Sequence, residues 1–308
     1  MKASLAVLIS AAALGGAAQA ATWQYHLPET GLMPSAVSAS YVSHMGERHG
    51  GGTLGWQQTN LTLPLSDPRR TQVNEVYINV ALDMERTELD SHTTLPLAHH
   101  VMWDLSLPVT LIYPGQNGHR WMFGAVPHVA SDFDHGAHCF EPGVFVDYRF
   151  VKTDRLSVSA GLAYAPMQTR TGVLPFVTAE WTPNDDWRIN LKGTELRVMY
   201  TTPRPSPDCP FFIPDVGFFV RAAGGSWATE TAEGSRLLRV HSLVAGARFE
   251  VCRYDEEGKD ITGMGYLELG STLATRATFS RWNDRTDTVE SHHYHPGMYA
   301  SFGLDFRF

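Results

Sequence analysis

Between Val101 and Tyr113 the character of the side chains alternates almost without error. Val101, Trp103, Leu105, Leu107, Val109, Leu111 and Tyr113 form one set, and Met102, Asp104, Ser106, Pro108, Thr110 and Ile112 stand between them. A period of two places the sets on opposite faces of a strand, and this run is long enough to cross a bilayer at a tilt. Shorter runs repeat the pattern. Val76, Ile78, Val80 and Leu82 oppose Glu75, Tyr77, Asn79 and Asp83; Val144, Val146, Tyr148 and Phe150 oppose Phe145, Asp147 and Arg149. Past the N-terminal region no stretch approaches the ~18 uninterrupted apolar residues of a spanning helix. The chain therefore reads as all-β. A soluble sandwich shows the same alternation with its apolar face inward, but the strand lengths and the placement of aromatics favour a transmembrane antiparallel up-and-down β-barrel.

Both ends of the chain agree with that expectation. Met298, Ala300, Phe302, Leu304, Phe306 and Phe308 share one face of a final strand, tolerable where that face meets lipid and the edge closes a barrel. The pattern resembles the C-terminal signal read by the outer-membrane assembly machinery of Gram-negative bacteria. At the other end, basic Met1-Lys2, apolar Leu5 to Leu14 and the small-x-small site Ala18-Gln19-Ala20 read as a cleaved secretory signal peptide. The expected organisation is a signal peptide over 1–20, a periplasmic segment over 21–36 and a barrel over 37–308, located in the outer membrane. Its partners are then outer-membrane lipids and the assembly machinery.

The formal net charge is −8 with basic residues scattered singly, which argues against a nucleic-acid partner. Three cysteines, Cys139, Cys209 and Cys252, leave at least one thiol outside any single bridge, and the sequence does not say which pair would form it.

Turn signals stand where hairpins need them: Pro114 to Gly118, Lys152 to Arg155 and Pro183 to Asp186. Tyr113 and Trp121 bracket the first, and Trp181 and Trp187 the third, as an interfacial girdle requires. Candidate strands fall near 37–45, 54–65, 73–84, 100–113, 120–130, 142–152, 156–166, 172–183, 187–201, 215–227, 237–252, 262–280 and 297–308. This count is odd, whereas bacterial single-chain barrels have an even number. The apolar phase jumps near Gly193, which reads as a β-bulge. Either segment 37–45 is not a strand or one is hidden between 202 and 296; the expected total is about 12 within a range of 10–14, with fourteen as the alternative. Segments 85–99, 131–141, 202–214, 253–261 and 281–296 read as loops.

From about Gly172 onward the chain resembles an uncharacterised family of bacterial outer-membrane β-barrel proteins. The likeness rests on PFVTAEWTPNDDWRINL (Pro175 to Leu191), AGGSW (Ala223 to Trp227) and GYLELGSTLATR (Gly265 to Arg276). The Pro-rich run TTPRPSPDCPFFIP (Thr201 to Pro214) departs from its usual tight connection. The resemblance implies the barrel and transfers no functional residue.

The polar faces carry both signs of charge. Glu75, Asp104, Asp147, Arg149, Arg188, Lys192, Arg221 and Arg248 are the expected lumen-lining set, with Asp83, Glu250, Asp305 and Arg307 beside them. Such charges can line a narrow porin-like channel for small solutes or ions; alternatively they satisfy one another in a plugged, structural or surface-binding barrel. A second alternative is metal binding in surface loops, with His292, His293 and His295 as candidate ligands and His135 and His138 near Asp132 and Asp134 in another loop. No motif joins a Ser to a His and an orienting group, so no catalytic residues are assigned, no cofactor is implied, and an enzyme such as a membrane-embedded hydrolase or acyltransferase is the remote alternative.

Overall fold

The computed structural model describes residues 35–66, 76–92, 95–133, 139–164, 172–202, 214–254, 261–281 and 288–306. The signal-peptide reading, Glu75, His135, His138 and Arg307 lie outside the described residues. Sixteen strand segments make one sheet, antiparallel except for a single parallel bridge between the sixth and twelfth segments. In chain order these are β1 (Ser35–Gly46), β2 (Thr53–Pro64), β3 (Tyr77–His92), β4 (Val101–Ser106), β5 (Val109–Pro114), β6 (Arg120–Ser131), β7 (Cys139–Lys152) and β8 (Leu156–Tyr164). They continue with β9 (Val173–Asn184), β10 (Trp187–Lys192), β11 (Glu195–Tyr200), β12 (Asp215–Thr231), β13 (Gly234–Tyr254), β14 (Ile261–Arg281), β15 (Thr288–Tyr294) and β16 (Met298–Phe306).

Two pairs of segments are single staves with a break. β4 and β5 pair consecutively along β3 and flank Pro108, which cannot donate to the ladder but whose carbonyl accepts from Ala81 N at 3.0 Å. β15 and β16 likewise run consecutively along β14. The ring therefore has fourteen staves, each paired to its sequence neighbour, and it closes where β1 meets β16 from Ser35↔Phe306 to Val42↔Tyr299. Fourteen is the alternative count. The additional strand comes from none of the places the sequence suggested: the expected bulge at Gly193 is a hairpin. Lys192 pairs with Glu195, leaving Gly193 and Thr194 as a two-residue turn, and Gly193 takes φ 55°, a conformation that a side chain disfavours. Residues 85–92 are likewise strand rather than loop, and β15 occupies part of the expected loop 281–296.

With fourteen staves, the turns at 115–119, 153–155 and 185–186 lie at the same end of the barrel as Ser35 and Phe306. The β10–β11 and β12–β13 turns lie at the other, here the far end.

Outward faces are apolar and uncovered: Phe218 is 70% exposed, Phe302 59% and Leu162 52%. A continuous belt of this kind is tolerable against lipid rather than water. Near the termini end it is edged by aromatics in register across three staves, Tyr113↔Trp121↔Tyr148, with the Trp121 and Tyr148 rings 4.5 Å apart. Trp187 and Tyr200 form a second such pair at 5.3 Å. Among the described residues no helix is long and apolar enough to cross a membrane; the crossing elements are strands.

Candidate functional site

The lumen is the candidate site, and its walls differ in chemistry. On β10 to β14 the inward positions build an ion-pair ladder. Arg188 on β10 reaches Glu250 at 2.6 Å and Asp215 at 3.7 Å. Arg197 on β11 contacts Glu195, and lies 3.9 Å from Glu250. Arg221 on β12 meets Glu268 at 2.8 Å. Arg248 on β13, wholly buried, binds Glu250 and Glu268 together, with its guanidinium 3.9 Å from the centre of the Tyr266 ring. The four guanidinium groups face the four carboxylates of Glu195, Asp215, Glu250 and Glu268, so the ladder is locally neutral. Buried charges persist where they are paired in this way.

The opposite wall carries Asp83 and Glu85 on β3, both buried, and Asp104 on β4 directly across the ladder from Glu85. Between the two charged regions the inward face of β5 to β9 holds an apolar cluster, Ile112, Met122, Val126, Phe145, Ala163 and Phe176, with buried Thr110, Arg120, His128, Asp147 and Ser159 beside it. Glycines make room for the rings, since a Cβ on Gly124 would stand 1.9 Å from the Phe145 ring and one on Gly161 2.4 Å from that of Phe176.

The expected lumen residues take definite places in this scheme. Arg188, Arg221 and Arg248 belong to the ladder, and Lys192 pairs separately with Glu180 at 3.3 Å. Arg149 donates from Nε to the Gly118 carbonyl at 2.8 Å, tying β7 to the turn at the termini end. Asp147 is buried on β7, and Asp104 is half-buried on β4. Reading Gly193 as a bulge hid the inward pair Glu195 and Arg197; recognising Lys192-Gly193-Thr194-Glu195 as a turn would have exposed it.

At the far end a second, smaller ring narrows the lumen. Strand β12 alternates as a wall strand up to Phe219, is half-buried over 220–223, and takes a φ of 108° at Gly224. Beyond it residues 224–229 are buried without alternation, as are 237–240 on β13 and 277–280 on β14. A membrane-facing wall exposes one face; this upper sheet exposes neither. Its edge crosses to β6, where Ala228 pairs with Ser131 in parallel and Asp132 N donates to the Ala228 carbonyl at 3.2 Å. The Asp132 carboxylate accepts from Thr229 Oγ1 at 2.9 Å and Glu230 N at 3.2 Å. This seam short-circuits the ring, leaving β7 to β11 outside it. Nine staves, β1, β2, β3, β4, β6, β12, β13, β14 and β15, enclose a core of Trp56, Trp227, Leu238, Phe279, Tyr294 and Met102, all at most 2% exposed. A ring of about eight strands is just wide enough for side chains to fill, and these large residues fill it.

The candidate metal ligands separate. His292 sits between two carboxylates, with Nδ1 2.8 Å from Glu47 and Nε2 2.8 Å from Glu290. His293 follows it in β15, a strand rather than the expected loop, and so points to the other face. His295 lies beyond the strand, its N–H donating to the Gly46 carbonyl at 2.9 Å. Among the described residues the convergent group is His44, Asp90 and His92. Cys252, on β13, carries a free thiol.

A closed ring with an apolar outside and a charged inside defines the class: a transmembrane antiparallel β-barrel. No family model matches the chain, and no curated protein matches it. Solved structures with a similar arrangement include an outer membrane channel from Pseudomonas putida F1, 9% identical with a TM-score of 0.42, over 89% of this chain and 96% of that one. OccK7 from Pseudomonas aeruginosa is 8% identical with a TM-score of 0.32, over 89% and 98%. The TodX monoaromatic hydrocarbon channel is 9% identical with a TM-score of 0.32, over 89% of each chain. At these overlaps none of the likenesses bears on what this chain does.

Proposed function

We propose that the protein is an outer-membrane, porin-like barrel held closed, a narrow channel for small solutes or ions whose path is interrupted by the far-end seal. The seam between β6 and β12 carries this reading: one parallel bridge and the Asp132 contacts join two walls that are otherwise separate staves. The apolar belt and aromatic edge support residence in a lipid bilayer, and the signal-like N-terminus supports export. Outer-membrane lipids and the assembly machinery are its proposed partners, and the role is non-enzymatic.

The density of the upper core favours a second reading, a permanently plugged structural barrel. Proteoliposomes loaded with a small fluorescent dye separate the two. Wild type is expected to retain the dye, and Asp132→Ala with Thr229→Ala is expected to release it. Free leakage through wild type would overturn the closed state. A correctly folded double variant as tight as wild type would leave the plugged barrel.

A further inference from the structure

On the outer wall near the far end, two histidines converge on one aspartate. Asp90 Oδ2 contacts His44 Nε2, and Asp90 Oδ1 lies 3.4 Å from His92 Nε2. The imidazole rings stack at 6.2 Å with an 18° interplanar angle, and the three donor atoms all lie within 4.8 Å of one another.

Local backbone features aim these groups together. His44 comes from β1, and Asp90 and His92 from β3, with β2 lying between them. The β1–β2 register shifts between Val42 and Met45, both core residues, so the two intervening residues form a bulge that turns His44 outward. Opposite Asp90 on β2 stands Gly55, where even a Cβ would come within 3.0 Å of the Val42 carbonyl oxygen. With no side chain at Gly55, His44 and Asp90 meet across the full width of β2. His44 lies nine residues along β1 from Ser35, roughly 23 Å up the barrel axis at a tilt of about 40°. That is the edge of a ~25 Å apolar belt, where the wall returns to water.

We propose that His44, Asp90 and His92 form a binding site for a divalent transition-metal cation of the Zn²⁺ class on the outer wall of the barrel. Two imidazole nitrogens and one carboxylate are a borderline-soft donor set that suits Zn²⁺, Cu²⁺ or Ni²⁺ better than Ca²⁺ or Mg²⁺. Bonds of ~2.05 Å to a tetrahedral ion put neighbouring donors about 3.3 Å apart, close to the separation of His92 and Asp90. The fourth position is open to water or an outside ligand. His44, Asp90 and His92 side chains are 47%, 52% and 73% exposed, so an ion reaches them without opening the barrel.

The test uses the tag-free full-length protein folded in detergent micelles, titrated with Co²⁺ while its visible d–d absorption is followed, then with Zn²⁺ as competitor. Wild type should take up a single equivalent of Co²⁺ and release it to Zn²⁺. His44→Ala and His92→Ala should each weaken uptake at least about tenfold, and the near-isosteric Asp90→Asn should do so with minimal risk to folding. His292→Ala with His293→Ala should leave uptake unchanged. Absence of saturable uptake by wild type, or wild-type uptake by a folded His44→Ala/His92→Ala variant, would overturn the proposal.

Discussion

Arg248 holds two buried carboxylates, Glu250 and Glu268, from the middle of the lumen wall. Replacing it with Met would leave Glu250 to Arg188 and Arg197 and Glu268 to Arg221, a buried network short of one positive charge, and removing one partner of a buried pair costs about 3–5 kcal/mol. Arg248→Met should therefore lower the urea midpoint of the detergent-folded barrel markedly, whereas Arg155→Met, at an exposed turn contact, should leave it nearly unchanged; equal midpoints for the two variants would contradict the ladder. Alternation alone placed Arg188, Arg221 and Arg248 on the polar face. It could not supply their pairing, because each partner lies on another strand and register across strands is not written in local periodicity. The same limit hid His44, Asp90 and His92, which are joined across an intervening strand by a bulge and a glycine.

The element that sequence periodicity misread most instructively is the run 187–201. A phase jump is produced equally by a bulge and by a two-residue hairpin, and only the pairing of Lys192 with Glu195, which folds β11 back on β10, separates them. The difference is global: a hairpin adds a stave, makes the count even and returns the C-terminal strand to the end that bears the short turns. Strand β3 ran past its expected end because Asp83, Glu85 and Thr87 face inward, while Arg86, Glu88 and Asp90 on the other face are also polar above the belt. Polar-to-polar alternation leaves no hydropathy signal. An epitope inserted between Gly193 and Thr194 should be labelled on intact cells, as should one at 232–233, while one at 185–186 should be labelled only after permeabilisation. Loss of membrane insertion specific to the Gly193 epitope would favour an uninterrupted strand there. Gly193→Val should cost about 1–2 kcal/mol of folding stability through its left-handed backbone, read from the urea midpoint; an unchanged midpoint would remove the turn's conformational demand.

At the scale of the whole molecule, the barrel was legible from alternation, from aromatics beside turns and from the terminal strand. The seal was not. Residues 224–227 read as the end of an ordinary strand, and the signal that they leave the wall is the pair Gly224-Gly225 together with apolar Trp227 and Ala228, whose destination depends on β6, nearly a hundred residues earlier. Trp227 anchors the upper core, and Trp227→Ala should destabilise the folded barrel by about 3–5 kcal/mol as measured by denaturant unfolding; a loss below ~1 kcal/mol would mean that this layer is loosely packed. In the proposed closed state a nine-stave ring joined at Asp132 and Thr229 shuts the fourteen-stave barrel. Single-channel recording in a planar bilayer tests it most directly. Wild type should insert without steady current, and Asp132→Ala with Thr229→Ala should show discrete openings. A large steady conductance from wild type, or silence from the folded double variant, would contradict a seam that gates the lumen.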